Sequence, residues 1–345
     1  MHTIARLTRL PMLVALTAMM SCDRSTTGPG SALSTSTDPK PSHPAGSVFA
    51  TTALGGEPYG LAIDRNGDML VAQVLADSVT RFALPGTTPV AAIFFGRPSS
   101  TDSGAAVIET GPVHVAINPA GTIGYVVEQF GNGIGVVDLG TNTIATTIPL
   151  TNSGFNIAVA PDGRRVYAST ADGRLYVIDA ATNAIVDSMA IGTAANGFAF
   201  SPDGTVLYAS SRDAGTVTAF RTSDDAQLHT FVVGGRPQRL AVAPNGTRLY
   251  AANEDSGLSV VNIPDATVLP SVNPMGSGYG LGITPDGAQL WLTEPLSGRM
   301  AIIDRASLRT SQILSLGGAP RNVAFNATGT TGVVTDGNGR VLFLR

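Results

Sequence analysis

From residue 58 onward the chain alternates apolar and polar positions in short runs separated by tight turns. Seven such runs, YGLAI, VHVAI, FNIAV, NGFAF, QRLAV, YGLGI and RNVAF, each lead into a turn reading RNG, PAG, PDG, PDG, PNG, PDG or ATG. A period of two is the signature of a β-strand, and Asp-Gly or Asn-Gly is the chemistry of the turn that ends it. One position of the run is small in every copy (Ala62, Ala116, Ala158, Ala199, Ala241, Gly282, Ala324), between larger apolar neighbours such as Leu61 and Ile63. Small side chains there let innermost strands crowd around an axis. Each turn is followed by a second strand (LYAAN, VYAST, LWLTE), a glycine or polar loop, a third strand (RLYVIDA, GLSVVNI, RMAIIDR) and a fourth (AIVDSMAIG, AQLHTFVVG, SQILSLGG).

The turn glycines, Gly67, Gly121, Gly163, Gly204, Gly246, Gly287 and Gly329, are spaced 54, 42, 41, 42, 41 and 42 residues apart. One repeat therefore carries an insert, which falls at Arg97–Thr110 between repeats one and two. Four short strands in ~42 residues match one blade of a β-propeller. Only three strands follow the last turn-entry proline, Pro320, and the missing fourth is supplied by SVFATTALGG near Val48–Leu54. The pattern predicts an all-β, seven-bladed propeller of four-stranded antiparallel blades over 48–345, closed by an N-terminal strand that joins the C-terminal blade. Closure of this kind removes free sheet edges.

Composition narrows the chemistry. The 40 glycines and 22 prolines lack a three-residue period, which excludes collagen and fits many turns. Lys40 is the only lysine, so neither a phosphate-binding P-loop nor a Schiff-base lysine is available. Residues 1–22 combine a basic start (Arg6, Arg9) with an apolar run from Leu10 to Met20 that ends at Ser21-Cys22, which reads as a secretory signal over 1–21. Its removal takes two positive charges from a formal −4 and leaves −6. No nucleic-acid partner is expected from that balance.

Cys22 is the only cysteine, so no internal disulfide forms, and its position resembles a bacterial lipoprotein cleavage site. Met19-Met20-Ser21 departs from the usual Leu-Ala-Gly-like tripeptide, and the alternative is a plain secreted protein with an incidental cysteine. Residues 22–47 are rich in Ser, Thr, Pro and Gly and read as a tether. The expected location is the cell envelope, lipid-anchored on the periplasmic or cell-surface side, with a monomeric propeller held off the membrane.

Where strand one begins, the loops between strands two and three and the links between blades share one face, where propellers place ligands. Two residues after each blade entry stand Gly60, His114, Asn156, Gly197, Arg239, Gly280 and Asn322. Tyr59, Phe155, Gln238, Tyr279 and Arg321 precede them, and Glu128, Asn253, Glu254, Glu294 and Asp336 follow strand two. Tyr59, His114, Asn156, Arg239, Glu254, Tyr279, Glu294, Arg321 and Asn322 are the candidate ligand-binding set, for a protein or small polar ligand. The competing account is that such positions are polar because a channel holds water, with the carboxylates acting as solvated loop residues or arginine partners. The insert overhangs the same face, either as a binding loop or as a neutral insertion.

The pattern Pro-x-x-apolar-Ala-apolar-x-Pro-Asp-Gly, Leu-Tyr-Ala/Val, Val-x-Val-Ile-Asp, best seen in NIAVAPDGRRVYASTADGRLYVIDAATNAIVDSMAIG, resembles the bacterial YVTN-type β-propeller repeat. PYGLAIDRNGDMLVA is closer to the NHL-type and streptogramin-lyase-like variants, and the sole tryptophan, Trp291, is not followed by Asp as in Trp-Asp propellers. The resemblance covers 48–345 and implies either a periplasmic or surface binding protein or a lactonase-like propeller. The leading reading is a tethered binding scaffold without catalysis or cofactor. The alternative is a lactonase- or lyase-like enzyme using His114, Arg239 and a carboxylate such as Glu128. The paired histidines of streptogramin lyases are not matched, and a gluconolactonase-like divalent cation would have Glu57, Asn156 and Asn322 as its oxygen donors.

Overall fold

A computed structural model describes residues 43–98, 107–108 and 110–345. The signal segment, Cys22, Lys40 and most of the tether lie outside the described residues, as do 99–106 and 109 of the insert. The described chain forms seven four-stranded antiparallel sheets and one two-stranded ribbon. The innermost strands of blades one to seven are Pro58–Ile63, Pro112–Ile117, Gly154–Val159, Ala195–Phe200, Pro237–Val242, Leu281–Ile283 and Pro320–Phe325. Each touches the next, and the seventh touches the first, so the ring closes.

Closure uses the expected strand exchange. Val48–Ala53 pairs antiparallel with Arg340–Leu344, completing the sheet begun by Pro320–Phe325 and Gly332–Asp336. The exchange extends to Ser47 and Arg345, whose backbone N–H and C=O groups bond reciprocally at 3.0 Å. His43 then reaches the Asp286 carboxylate at 2.5 Å, in the turn between strands one and two of blade six. The chain therefore enters the domain on the turn face, opposite the mouth face where strand one of each blade begins.

The turns carry out the chemistry read from their sequences. All seven turn glycines take positive φ, between +69° and +90°. Each donates its N–H back to the carbonyl three residues earlier, as from Gly163 to Ala160 at 2.8 Å. Asp162, Asp203, Asn245 and Asp286 cap the same turns by accepting the N–H two residues on. A β-carbon at these glycines would force a conformation that L-residues resist.

Burial is graded from axis to rim. Strands one to three of each blade are almost wholly buried, whereas fourth strands expose most of their residues. Inward-facing residues of the fourth strands, such as Ile93, Ile148 and Phe231, remain buried. The small position of strand one marks where adjacent blades meet. A β-carbon at Gly282 would sit 2.9 Å from Phe325 and 3.0 Å from Val323 of the next blade. Ala158 likewise packs in a cluster with Phe198, Phe200 and Leu207 of blade four. The small side chain is a blade-to-blade requirement, not a property of its own sheet.

Deleting residues 43–53 leaves Arg340–Leu344 with an unpaired edge and apolar Phe343 partly uncovered. The shortened chain is expected to melt at lower temperature and to self-associate, which differential scanning calorimetry and light scattering would register.

Candidate functional site

The mouth of the shaft is built on a backbone irregularity that recurs around the ring. In six blades the pairing of strands one and two slips near the mouth, for example between Pro58 and Leu61, Pro112 and His114, and Pro320 and Val323. Such bulges turn consecutive side chains away from the ladder. In blades one, four, five and seven the slip leaves two consecutive residues outside the ladder, Tyr59-Gly60, Asn196-Gly197, Gln238-Arg239 and Arg321-Asn322, whereas in blades two and three it skips only Val113 and Phe155, and His114 and Asn156 pair with Val127 and Ser169. In blade six Tyr279-Gly280 take the equivalent place just before Leu281–Ile283.

These residues form a seam between blades. Asn156 Nδ2 donates to the Asn196 carbonyl of blade four at 3.1 Å, and Asn322 Nδ2 donates to the Tyr59 carbonyl of blade one at 2.6 Å. Where the position is glycine, the same neighbouring carbonyl comes so close that no side chain fits. A β-carbon at Gly60 would lie 2.6 Å from the Val113 carbonyl, and at Gly197 and Gly280 it would collide with those of Gln238 and Arg321. Glycine at 60, 197 and 280 is a condition of that strand approach.

A second element of the seam was missed by the reading of the sequence. The penultimate residue of strand two is a hydroxyl in blades three, four, six and seven: Ser169, Ser210, Thr293 and Thr335. Each accepts a backbone N–H from its own bulge and donates to a carbonyl of the next blade. Gly197 N–H reaches Ser210 Oγ at 2.7 Å, which donates to Gln238 at 2.8 Å. Gly280, Thr293 and Arg321 repeat the relay at 2.8 and 2.7 Å. Asn322, Thr335 and Tyr59 do so at 3.1 and 2.7 Å, and Asn156, Ser169 and Ala195 at 3.2 and 2.7 Å. The visible signal was the hydroxyl in YAST, YASS, WLTE and VVTD.

The carboxylates and amides that end strand two are engaged with backbone. Asp336 Oδ1 accepts the N–H of Ala319 at 2.7 Å and of Asn338 at 2.9 Å. Asn253 accepts from Arg236 at 3.0 Å and donates to the Gly234 carbonyl at 2.8 Å. Glu294 takes the N–H groups of Leu296 and Ser297 at 3.0 and 2.8 Å. Glu128 is buried beside Gly131 and Thr110. Glu254 accepts from Arg212 Nε and Nη2 at 3.1 and 2.9 Å and lies 3.1 Å from Arg236 Nη1, and Gln238 Nε2 also donates to it.

Two side-chain struts cross the shaft. Arg239 of blade five donates from Nη2 to His114 Nε2 of blade two at 3.2 Å, with both residues fully buried. Tyr59 of blade one meets Tyr279 of blade six through their hydroxyls. The Arg321 guanidinium covers both rings, at 5.1 and 5.4 Å from their centroids, and donates to Glu57 Oε1 at 2.9 Å. Because guanidinium has no acceptor, the first strut requires a lone pair on His114 Nε2 and places the imidazole proton on Nδ1. Burial, and then the Arg239 charge, hold His114 well below its ordinary pKa, and burial raises Tyr59 well above its own. The histidine is neutral and Tyr59 keeps its proton.

The ring of binding candidates is thus brought together as a set, but mostly as structure. His114 and Arg239 meet, whereas Glu128 faces the Gly131 loop. Glu57, Asn156 and Asn322 are engaged separately, by Arg321, Asn196 and Tyr59. Among the described residues no three His, Cys, Asp or Glu side chains gather as a metal site would require. The insert begins and returns at this face. Arg97–Pro98 and Val107–Ile108 form its ribbon, and Asp77 Oδ1 accepts the N–H groups of Thr110 and Gly111 at 2.8 Å at its base.

Replacing Thr335 by Ala leaves the Asn322 N–H without its acceptor and removes one donor to the Tyr59 carbonyl. A loss of roughly 1–3 kcal/mol in unfolding free energy is expected, measured by urea denaturation.

The comparisons agree with this architecture. The family model described as "Lactonase, 7-bladed beta-propeller" matches residues 60–221 and 169–267, together more than half of the chain. No curated protein matches. Among solved structures, Kuenenia stuttgartiensis hydrazine synthase superposes with a TM-score of 0.72 at 17% identity, covering 86% of this chain and 97% of that one. At that identity the likeness concerns the fold alone. The chain belongs to the lactonase seven-bladed β-propeller family.

Proposed function

We propose that this protein is a membrane-tethered, extracytoplasmic propeller of the YVTN type whose mouth face binds a protein or small polar ligand without catalysis. One observation carries the reading: the acid–base groups at the mouth are committed to holding the ring together. His114 Nε2 is occupied by Arg239, and the Glu254 and Glu294 oxygens accept from arginines or backbone. A general base needs a lone pair within reach of a substrate proton. Here the one imidazole lone pair is spent on a strut.

Two further features support binding. His114 Nδ1, Asn196 Oδ1, Arg321 Nε and Asn322 Oδ1 are buried on the bulges with no hydrogen-bond partner among the described residues. Buried polar atoms are satisfied by protein, water or ligand, so this ring suits a polar guest. The chain enters the domain on the turn face, beside Asp286. With Cys22 as anchor, the tether would join the domain on its turn face, away from the mouth, and the acyl chains of a lipidated cysteine would keep the protein at the membrane.

The family match supports a second reading, a lactonase with its site at the same mouth. The two separate in one preparation. The full-length chain is expected in the membrane fraction, its Cys22→Ser variant in the soluble fraction, and neither should hydrolyse sugar or acyl lactones above the buffer rate. Turnover that disappears in a folded His114→Ala/Arg239→Ala variant would establish the enzyme instead.

A further inference from the structure

We infer that the His114–Arg239 strut is an acid-released latch on the shaft, closed when the imidazole is neutral and opened when it takes a proton. The latch does not depend on which ligand the mouth binds. It rests on three geometric facts. The two side chains come from blades two and five, separated by 125 residues, and meet across the axis at 3.2 Å. Both are fully buried, away from bulk solvent. The contact uses the Nε2 lone pair, which protonation removes.

The groups facing His114 leave the proton little compensation. From the innermost strand of blade one, Tyr59 presents its ring edge-on at 6.4 Å between centroids, and its hydroxyl is neutral. Asp68, on the second strand of that blade, lies at the opposite end and pairs with Arg81 at 3.0 Å. From the second strand of blade two, Glu128 turns its Oε2 toward the Gly131 and Gly133 loop. Blade three contributes Phe155 and Asn156, which do not titrate. From blade five comes Arg239, a second cation. A protonated His114 would therefore lose its hydrogen bond and face a guanidinium away from bulk solvent, and a buried like-charge contact of that kind is not sustained.

The direction of the pH effect follows. The closed shaft disfavours the protonated imidazole, whereas an opened or unfolded one accepts it near the ordinary histidine value of about 6.5. Closure is fully favoured above that value and weakens as pH falls below it, with the closed-to-open ratio dropping up to about tenfold per pH unit. Release would free Arg239 beside the Tyr59–Tyr279 strut, opening the mouth that the two struts close.

Hydrogen–deuterium exchange on the full-length chain at pH 7.5 and 5.0, corrected for intrinsic rates, tests the latch. Segments 112–117 and 237–242 should lose protection about tenfold or more at pH 5.0, while 340–344, in the closing blade, keeps its own. His114→Gln, which retains an acceptor but does not titrate, should remove the difference. Equal protection at both pH values, an equal loss in 340–344, or the same loss in His114→Gln would overturn the proposal. Should that variant fail to fold, histidine NMR on the wild type decides. The His114 ring should titrate well below the ordinary histidine value of about 6.5, and titration at that value would refute the latch.

Discussion

The close approach of backbone to backbone between neighbouring innermost strands is the constraint on which the molecule depends. Seven strands converge on one axis, and at three places near the mouth a neighbouring carbonyl comes too close for any side chain. They also belong to different sheets, so no ladder hydrogen bonds join them. The ring answers with glycine at positions 60, 197 and 280, with asparagine at 156 and 322, and with strand-two hydroxyls that reach a neighbouring carbonyl. Polar side chains here take the place of a missing ladder. Since an unsatisfied buried backbone group costs ~1–3 kcal/mol, each relay is a condition of closing the ring.

The departures from sevenfold regularity are concentrated where function would be. Blades one, two and five carry Ala72, Val127 and Ala252 where the other blades carry the relay hydroxyl. In those blades the bulge position is Gly60, His114 or Arg239. The two largest side chains of the ring thus occupy blades without the local relay, and they bond to each other across the axis, with the His114 Nδ1 edge against Gly60. Above them Tyr59, Tyr279, Arg321 and Glu57 form a second layer from blades six, seven and one. The mouth is asymmetric in charge as well as in shape, with Arg212, Glu254 and Arg236 paired over blades four and five. A lactonase-family scaffold in this form keeps its rigid ring and fills the shaft with contacts of its own.

Much of the fold was legible along the chain because propeller blades are local. Turn glycines, alternating strands and the displaced strand at Val48–Ala53 repeat within about forty residues, and each finds its partner inside one sheet or at the closure. The candidate ring was legible for the same reason, since the bulge residues occupy a fixed place after each blade entry. Their roles were not. Asn156 and Asn322 look alike whether they face water, a cation or a carbonyl, and only the neighbouring blade supplies the carbonyl. The hydroxyls of Ser169, Ser210, Thr293 and Thr335 passed as ordinary strand residues because their acceptors lie in the next repeat, or for Thr335 at the other end of the chain.

The amino-acid sequence by itself determined the number of blades, their strands and turns and the means of closure, because these follow from short-range periodicity and from the φ preferences of glycine. Tertiary structure alone decided what the polar ring does. Which carbonyl meets Asn322, and that His114 meets Arg239, depend on residues hundreds of positions apart brought within hydrogen-bond distance by the curvature of the ring. Burial then set the direction of the His114 and Tyr59 protonation, since being taken from bulk solvent disfavours the charged imidazole and the charged phenolate.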